Sequence, residues 1–189
     1  MVARTRDLIL EEALKLFSEK GIKETTIRDI ARAVGITEGA IYRHFESKDQ
    51  IVYELFEKYS YQLYESIEKV LKKARTREEQ FKKVVIAFLD FAFKKPDAFR
   101  YLNIFHYLRS REVKKFKHIP FLLLKELIVG MHAEGVLKTE PEYALAVVTG
   151  TLERVFLYKS MGIIKGRKSK VKERTAQLLW RSLVECSQS

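Results

Sequence analysis

Residues 26–45 read TIRDIARAVGITEGAIYRHF, and this stretch decides the fold class. It opens with a capping-box pattern, because Thr26 is followed three residues later by Asp29, and the two side chains can each satisfy a backbone N–H of the other at the start of a helix. Apolar residues then recur at helical spacing over about two turns. Gly35 follows them, at the position where glycine typically ends a helix. The stretch therefore begins with a short, well-capped helix.

A second short helix follows the glycine. Thr37 can cap it, and we predict that it covers residues 38–44. Ile41 and Phe45 have the spacing to pack inward, which leaves the polar side chains of the segment outside. This is the form of a helix-turn-helix, in which the second helix enters the DNA major groove, although a plain helical hairpin in a bundle has the same local pattern. The outward residues are Thr37, Glu38, Gly39, Ala40, Tyr42, Arg43 and His44.

Helical periodicity also dominates the rest of the chain, and no segment alternates with the period of a strand. The spacing predicts an all-α protein of about nine helices. One of them, over residues 48–74, is unusually long and connects an N-terminal helix-turn-helix domain (1–47) to a helical domain (48–189) for effector binding and dimerisation. The other helices are predicted over residues 5–20, 27–34, 38–44, 78–94, 97–109, 119–134, 141–161 and 170–187.

The net charge of the 189-residue chain is +11, which favours a polyanionic partner. Residues 1–50 nevertheless hold nine basic and nine acidic side chains, so the surplus lies downstream. It is concentrated in residues 109–117 and 159–174. Such runs are usually solvated surface. The second run leaves open a peripheral membrane-surface or structural helical protein without sequence-specific DNA binding.

Several functional classes find no support in the residues. Cys186 is the only cysteine, and the four histidines are not arranged at metal-ligand spacing, so we expect no metal site. The sequence has no glycine-rich phosphate loop and no catalytic constellation, which argues against an enzyme and against a cofactor. Neither a transmembrane run nor a secretion signal is evident, and we therefore expect a cytoplasmic protein.

Residues 4–56 resemble the DNA-binding domain of the TetR/AcrR-family transcriptional regulators. The resemblance lies in the segments ALKLFSEKG, TIRDIA, AVGITEGAIYRHF and FESKDQI. It implies a homodimer that binds a palindromic double-stranded DNA operator, in most cases as a repressor, and releases it when a small-molecule effector binds. Beyond this segment the chain is similar to the family mainly in being helical.

The resemblance also assigns roles in DNA binding by position. Glu38 is the least expected of these residues, because a carboxylate near the DNA backbone is repelled unless it accepts from a cytosine amino group or pairs with Arg43. Arg28 could instead lie on a solvated face, and His44 could pack or cap. Contacts to phosphates are implied for Thr26, Thr37, Tyr42, His44 and Lys48, and positions in or near the groove for Arg28, Glu38, Gly39, Ala40 and Arg43.

A dimer is expected because two recognition helices must reach successive major-groove faces about 34–36 Å apart. Two apolar stripes on the last two helices are the candidates for its interface, with Gly150 allowing close approach. The same stripes could instead close the core of a single chain. They comprise Val148, Thr151, Val155 and Tyr158 on one helix, and Ala176, Leu179, Trp180 and Leu183 on the other.

The middle helices are rich in aromatic residues, which is typical either of a core or of an apolar effector cavity. Few charges interrupt the predicted inner faces, so we expect a hydrophobic or amphipathic effector. Met131 could add an adaptable wall. The candidate effector-binding residues are Tyr59, Phe88, Phe91, Phe105, Tyr107, Phe121, Met131 and Phe156.

Overall fold

A computed structural model describes residues 2–184, with side chains from Thr5 onward, and these residues form ten α-helices and no strand. The prediction of an all-α fold is confirmed. The additional helix is the single turn Ser110–Val113, too short to give a periodic signal. Cys186 lies outside the described residues. The helices are α1 (Val2–Lys20), α2 (Ile27–Val34), α3 (Glu38–Tyr42), α4 (Lys48–Lys73), α5 (Arg77–Lys94), α6 (Pro96–Leu108), α7 (Ser110–Val113), α8 (Pro120–Ala133), α9 (Pro141–Ser160) and α10 (Lys168–Leu183).

The chain folds into two compact units. The first unit contains the residues up to Tyr61 together with Lys95–His118, and the second contains Gln62–Lys94 together with the residues from Ile119 onward. The uninterrupted helix α4 contributes residues to both. The unit that holds the helix-turn-helix thus also includes the start of α4, α6 and α7, and is larger than the predicted domain of residues 1–47.

The core of the first unit is built on aromatic rings. Phe17 of α1 stacks on Tyr101 of α6, with ring centroids 5.9 Å apart. Phe56 of α4 stacks on Phe105 of α6 at 3.9 Å, and all four rings are buried. The buried hydroxyl of Tyr101 donates to the backbone carbonyl of Val52, so the polar atom of this side chain is satisfied inside the core. These contacts fix α6 against α1 and the first turns of α4.

In the second unit, α5 and α10 pack side by side in opposite directions. The Nζ of Lys168 donates to the carbonyl of Phe93 at 3.1 Å at one end of the pair, and Phe81 packs on Trp180 at 5.8 Å towards the other. Helices α8 and α9 pack on α5 and on each other. Within residues 2–184, no helix has both the length and the apolar character needed to span a bilayer.

Candidate nucleic-acid interface

The start of α2 is fixed by a complete capping box. The Oγ1 of Thr26 accepts from the backbone N–H of Asp29 at 3.1 Å, and the backbone N–H of Thr26 donates to the Asp29 carboxylate at 2.9 Å. The Thr26 hydroxyl donates to the same carboxylate at 2.7 Å. These two bonds, first from the backbone and then from the hydroxyl, lower the pKa of Asp29 below its ordinary value. Thr26 is exposed, as a phosphate contact requires, but its hydroxyl proton is already used by Asp29.

The turn between α2 and α3 requires a glycine. Gly35 has a φ of +79°, and its N–H donates to the carbonyl of Ala31 at 2.9 Å. A residue with a Cβ would be strained in this left-handed conformation. Thr37 then caps α3 by accepting from the N–H of Ala40 at 3.2 Å. The predicted caps and the predicted glycine turn are therefore all present.

Helix α3 is shorter than predicted and ends at Tyr42 instead of residue 44. The N–H of His44 donates to the carbonyl of Ile41 at 2.8 Å, a bond that spans three residues and belongs to a tight turn. Phe45 is held beneath this turn, because its N–H donates to the same carbonyl at 3.0 Å and its ring is buried. The chain therefore leaves α3 through this turn, which keeps Arg43 exposed and buries Phe45.

The two sides of α3 differ sharply. Ile41 is fully buried, whereas Tyr42 is 54% exposed. Gly39 is exposed, and a Cβ added there would meet nothing closer than the Thr37 hydroxyl at 3.9 Å, so the fold itself does not require a glycine at this position. Of the predicted DNA-binding residues, Arg28, Glu38 and Arg43 are also exposed, and Ala40, His44 and Lys48 are half-buried.

Lys48 is bound within the chain. Its ammonium donates to the carbonyls of Ile22 and Thr25, both at 3.0 Å, and so joins the first residue of α4 to the segment between α1 and α2. The sequence pattern indicated a phosphate contact for this residue. It gave no sign of the two carbonyls, because they lie more than 20 residues away along the chain.

An ion pair between Arg6 of α1 and Glu54 of α4 lies next to the helix-turn-helix. The sequence analysis did not predict this pair. The Arg6 guanidinium donates to both carboxylate oxygens of Glu54, and it lies 4.6 Å from the ring centre of Phe45. The pKa of Arg6 is raised, chiefly by the hydrogen bond to Glu54. A pair 48 residues apart in sequence leaves no local signal. Arg6 therefore supports Phe45, directly behind α3.

The predicted effector-binding residues do not lie in one unit. Tyr59, Phe105 and Tyr107 belong to the first, and Phe88, Phe91, Phe121, Met131 and Phe156 belong to the second. Tyr107 is 87% exposed, which corrects its assignment to an enclosed cavity. Phe105 stacks on Phe56 in the core of the first unit. Tyr59 is half-buried, and this burial raises the pKa of its hydroxyl. In the second unit, Phe91, Met131 and Phe156 are buried, Phe88 is half-buried and Phe121 is exposed.

The predicted dimer interface also needs correction. Five of its eight side chains are buried within the chain itself and offer no surface to a second copy: Val148, Ala176, Leu179, Trp180 and Leu183. For the four α10 residues the reason is that the apolar face of α10 packs against α5, while Val148 lies on the buried side of α9. Thr151 and Val155 are half-buried, and Tyr158 is exposed. Helix α9 and its C-cap residue instead expose a different stripe, formed by Tyr143, Val147, Gly150, Leu157 and Met161, with the exposed Arg154 on the same face.

Histidine, cysteine and acidic side chains do not form a metal site in the described part of the chain. No group of three or more of these residues between positions 2 and 184 is placed to hold a metal ion.

Comparison with known proteins gives matches that concentrate on the helix-turn-helix. A model of the bacterial regulatory proteins of the tetR family matches residues 9–55. The HTH-type transcriptional repressor KstR2 of Mycolicibacterium smegmatis is 47% identical over 53 residues, which are 28% of this chain and 26% of that protein. The HTH-type transcriptional regulator AcrR of Shigella flexneri is also 47% identical over 53 residues, 28% of this chain and 25% of that protein. These matches span about a quarter of each relative.

Two further kinds of match extend over most of the chain. The nucleoid occlusion factor SlmA of Actinobacillus pleuropneumoniae is 32% identical over 153 residues, which are 77% of this chain and 75% of that protein. A tetR-family regulatory protein from Rhodococcus RHA1 has a TM-score of 0.80 at 17% identity, covering 97% of this chain and 98% of that one. A tetR-family regulator from Shewanella sp. PV-4 has a TM-score of 0.77 at 20% identity, covering 96% and 99%. At such identities the structures show a shared fold.

Proposed function

The chain belongs to the TetR family of bacterial regulatory proteins, and on this premise we propose that it is a homodimeric transcriptional repressor that binds a palindromic DNA operator. Two curated relatives that match the helix-turn-helix carry the names of a transcriptional repressor and a transcriptional regulator. Because those matches cover only about a quarter of each relative, the operator, the effector and the dimer of this chain are part of the proposal.

The observation that carries the proposal is the division of α3 into a buried and an exposed side. Ile41 and Phe45 anchor the helix, while Tyr42 and Arg43 are held at the surface next to a glycine that the fold does not need. A glycine at such a position lets the backbone come close to a groove floor, and an arginine beside it can donate two hydrogen bonds to guanine. This arrangement suits insertion into the major groove.

We assign the DNA contacts in two groups. Arg28, Glu38, Gly39, Ala40 and Arg43 lie in or near the groove. Thr37, Tyr42 and His44 contact phosphates, with Thr26 beside them if its hydroxyl turns away from Asp29. Helix N-termini such as that of α2 favour a nearby phosphate through their free N–H groups.

Selection of operators from a random duplex library, followed by binding measurements on variants, tests this function. Arg43→Ala is expected to weaken operator binding by about 1–3 kcal/mol and to relax the preference at one base position. Arg111→Ala is the matched control, because it removes an exposed guanidinium from α7 of the same unit. Failure of the wild-type protein to enrich any sequence would refute the proposal.

For the dimer, we propose that the exposed α9 stripe of Tyr143, Val147, Gly150, Leu157 and Met161 pairs with its own copy. Tyr143 is 68% exposed and Met161 is 63% exposed, so the stripe offers large apolar side chains to a partner. The stripe has the self-complementary character that a two-fold interface needs, with a glycine near its middle for close helix approach. This surface replaces the buried residues of the sequence-based interface.

We propose further that an apolar or amphipathic effector binds in the second unit, among α5, α8 and α9. These helices pack together, and their inward side chains include Phe91, Met131 and Phe156, with Phe88 half-buried beside them. Helix α4 belongs to both units and is the proposed route by which effector binding alters the helix-turn-helix. Release of the operator by 1-decanol but not by succinate is expected in a fluorescence anisotropy assay, and the reverse result would contradict an apolar effector.

A further inference from the structure

The ammonium of Lys48 holds together the two helix starts that flank the recognition helix. Its two acceptors, the carbonyls of Ile22 and Thr25, both lie 3.0 Å away in the elbow between α1 and α2, here defined as residues 21–26. We propose that Lys48 is a positioning residue for operator recognition, which acts by fixing the geometry of the helix-turn-helix and not by neutralising a phosphate. This inference rests on the proposed DNA-binding function.

The elbow is itself well ordered by local contacts. Gly21 adopts a φ of +101°, and the buried hydroxyl of Thr25 donates to the Gly21 carbonyl at 2.8 Å. The side chain of Ile22 is buried as well. A bond from Lys48 to the elbow therefore restrains the position of α2, which begins at its end.

The carbonyls of Ile22 and Thr25 need the lysine. Among the described residues, no backbone N–H donates to either of them, in contrast to the helical carbonyls on both sides. A partly buried carbonyl without a donor is costly, and a charged donor gives a stronger bond than a neutral one. Lys48 thus satisfies two acceptors that the turn would otherwise leave unpaired.

The position of this bridge explains why it matters for DNA recognition. Thr25 directly precedes Thr26, the N-cap of α2, and Lys48 is the first residue of α4. Helix α3 lies between these two points in the sequence, with only short turns on either side. A bond from the start of α4 to the start of α2 therefore restrains both ends of the segment that carries Tyr42 and Arg43.

A positioning role and a phosphate contact predict different losses of DNA affinity when Lys48 is replaced. A phosphate contact contributes to every DNA sequence alike, and its removal lowers the slope of log affinity against log salt concentration by about one. A misplaced recognition helix loses base contacts first, because these depend on geometry, while backbone attraction persists. The ratio of operator affinity to random-duplex affinity separates the two.

The test compares Lys48→Met with Lys23→Met, measured at a temperature where both variants are fully folded. Lys23 lies in the same elbow and is exposed, so its replacement removes one charge without removing the bridge. For Lys48→Met we expect the operator-to-random ratio to fall about tenfold or more with the salt slope unchanged, because the loss of two charge-assisted hydrogen bonds misplaces the recognition helix without removing a phosphate contact. The ratio should be unchanged in Lys23→Met. A salt slope lowered by about one with a constant ratio would overturn the proposal, and so would the absence of any effect.

Amide hydrogen exchange in the free protein supplies a readout that does not depend on DNA. Lys48→Met is expected to speed exchange of the elbow amides about tenfold, whereas Lys23→Met leaves them unchanged. Unchanged exchange in Lys48→Met would refute the bridge even if operator binding fell. If the wild-type protein shows no operator preference while the elbow does loosen, the proposed function has failed and the bridge has not.

Discussion

The guanidinium of Arg109 donates to the carboxylate of Asp49 at 2.6 Å, across 60 residues of sequence. The bond joins the residue after α6 to the first turn of α4. Arg109 also donates to the Tyr53 hydroxyl at 3.0 Å, and that hydroxyl in turn donates to Glu112 of the short helix α7. The first turns of α4 are therefore held from two sides, by α6 and α7 through Arg109 and by the α1–α2 elbow through Lys48.

Replacing Arg109 by methionine should lower the free energy of unfolding by about 1 kcal/mol, measured by urea denaturation. Hydrogen bonds to charged groups contribute about 1.5–3 kcal/mol, but the exposure of the Asp49 carboxylate reduces the effect. Arg111→Met is the matched control and should be neutral, because Arg111 is exposed on the neighbouring α7.

A double-mutant cycle identifies the source of that loss. Asp49→Asn should destabilise the protein as well, and the double variant Arg109→Met with Asp49→Asn should lose less than the two single variants together. Strictly additive losses would show that Arg109 and Asp49 do not interact, in disagreement with the structure.

The capping box at α2 predicts a dependence of stability on pH. The pKa of Asp29 is lowered in the folded protein by the backbone N–H and the hydroxyl of Thr26. Its contribution is therefore fully present above the ordinary carboxylate pKa near 3.8 and is lost as the pH falls through the lower folded value. Thermal unfolding between pH 6 and 2 should show Asp29→Asn with a lower Tm than the wild type above pH 5.

At the acid end of that range the two Tm curves should converge, since the wild-type carboxylate is then protonated too. Asp7→Asn serves as the control, because Asp7 is an exposed carboxylate away from the capping box. A Tm difference between wild type and Asp29→Asn that stayed constant down to pH 2 would mean that the charge of Asp29 is not what stabilises α2.

The local features of the helix-turn-helix could be predicted from sequence because they depend on short-range spacing. Thr26 and Asp29 are three residues apart, Gly35 follows the last apolar position of its helix, and Thr37 precedes the next one. All of them take the predicted roles in capping and turning. The end of α3 was predicted two residues too late, because the turn at His44 is imposed by the burial of Phe45.

Long-range partners could not be predicted in this way. A lysine at position 48 of this pattern indicates a phosphate contact. Only the fold brings the carbonyls of Ile22 and Thr25 to its ammonium. Trp180 lies on a periodic apolar stripe, which shows that one face of α10 is covered. The stripe does not show whether a second copy or the same chain covers it. In the structure Trp180 packs on Phe81 of the same chain.

Gly150 provides a test of the proposed dimer surface. A Cβ added at this position would meet nothing within 4 Å, so the single chain has room for a large side chain. Gly150→Trp should therefore keep a wild-type circular dichroism spectrum while sedimenting as a species of about 22.2 kDa instead of twice that mass.

Lys125→Trp, at an exposed position on α8, is the control for the general effect of a surface tryptophan and should remain dimeric. Should Gly150→Trp sediment as a dimer at micromolar concentration, the interface lies elsewhere on the chain.

The exposed α9 stripe further predicts how the two copies of the helix align. Tyr143 and Met161 lie equally far from position 152, as do Val147 and Leu157, so an antiparallel pair about a two-fold axis near that position places the members of each pair opposite one another. Each tyrosine would then be about 27 Å along the axis from its own copy, since a helix rises 1.5 Å per residue.

Disulfide crosslinking tests this alignment in a chain carrying Cys186→Ser. The double variant Tyr143→Cys with Met161→Cys should oxidise to a covalent dimer. Either single cysteine variant should not, because a disulfide needs Cα atoms within about 7 Å. Val147→Cys with Met161→Cys is the mismatched control, four residues out of register on the same face. Crosslinking by Tyr143→Cys alone would indicate parallel helices and would exclude the two-fold arrangement proposed for this stripe.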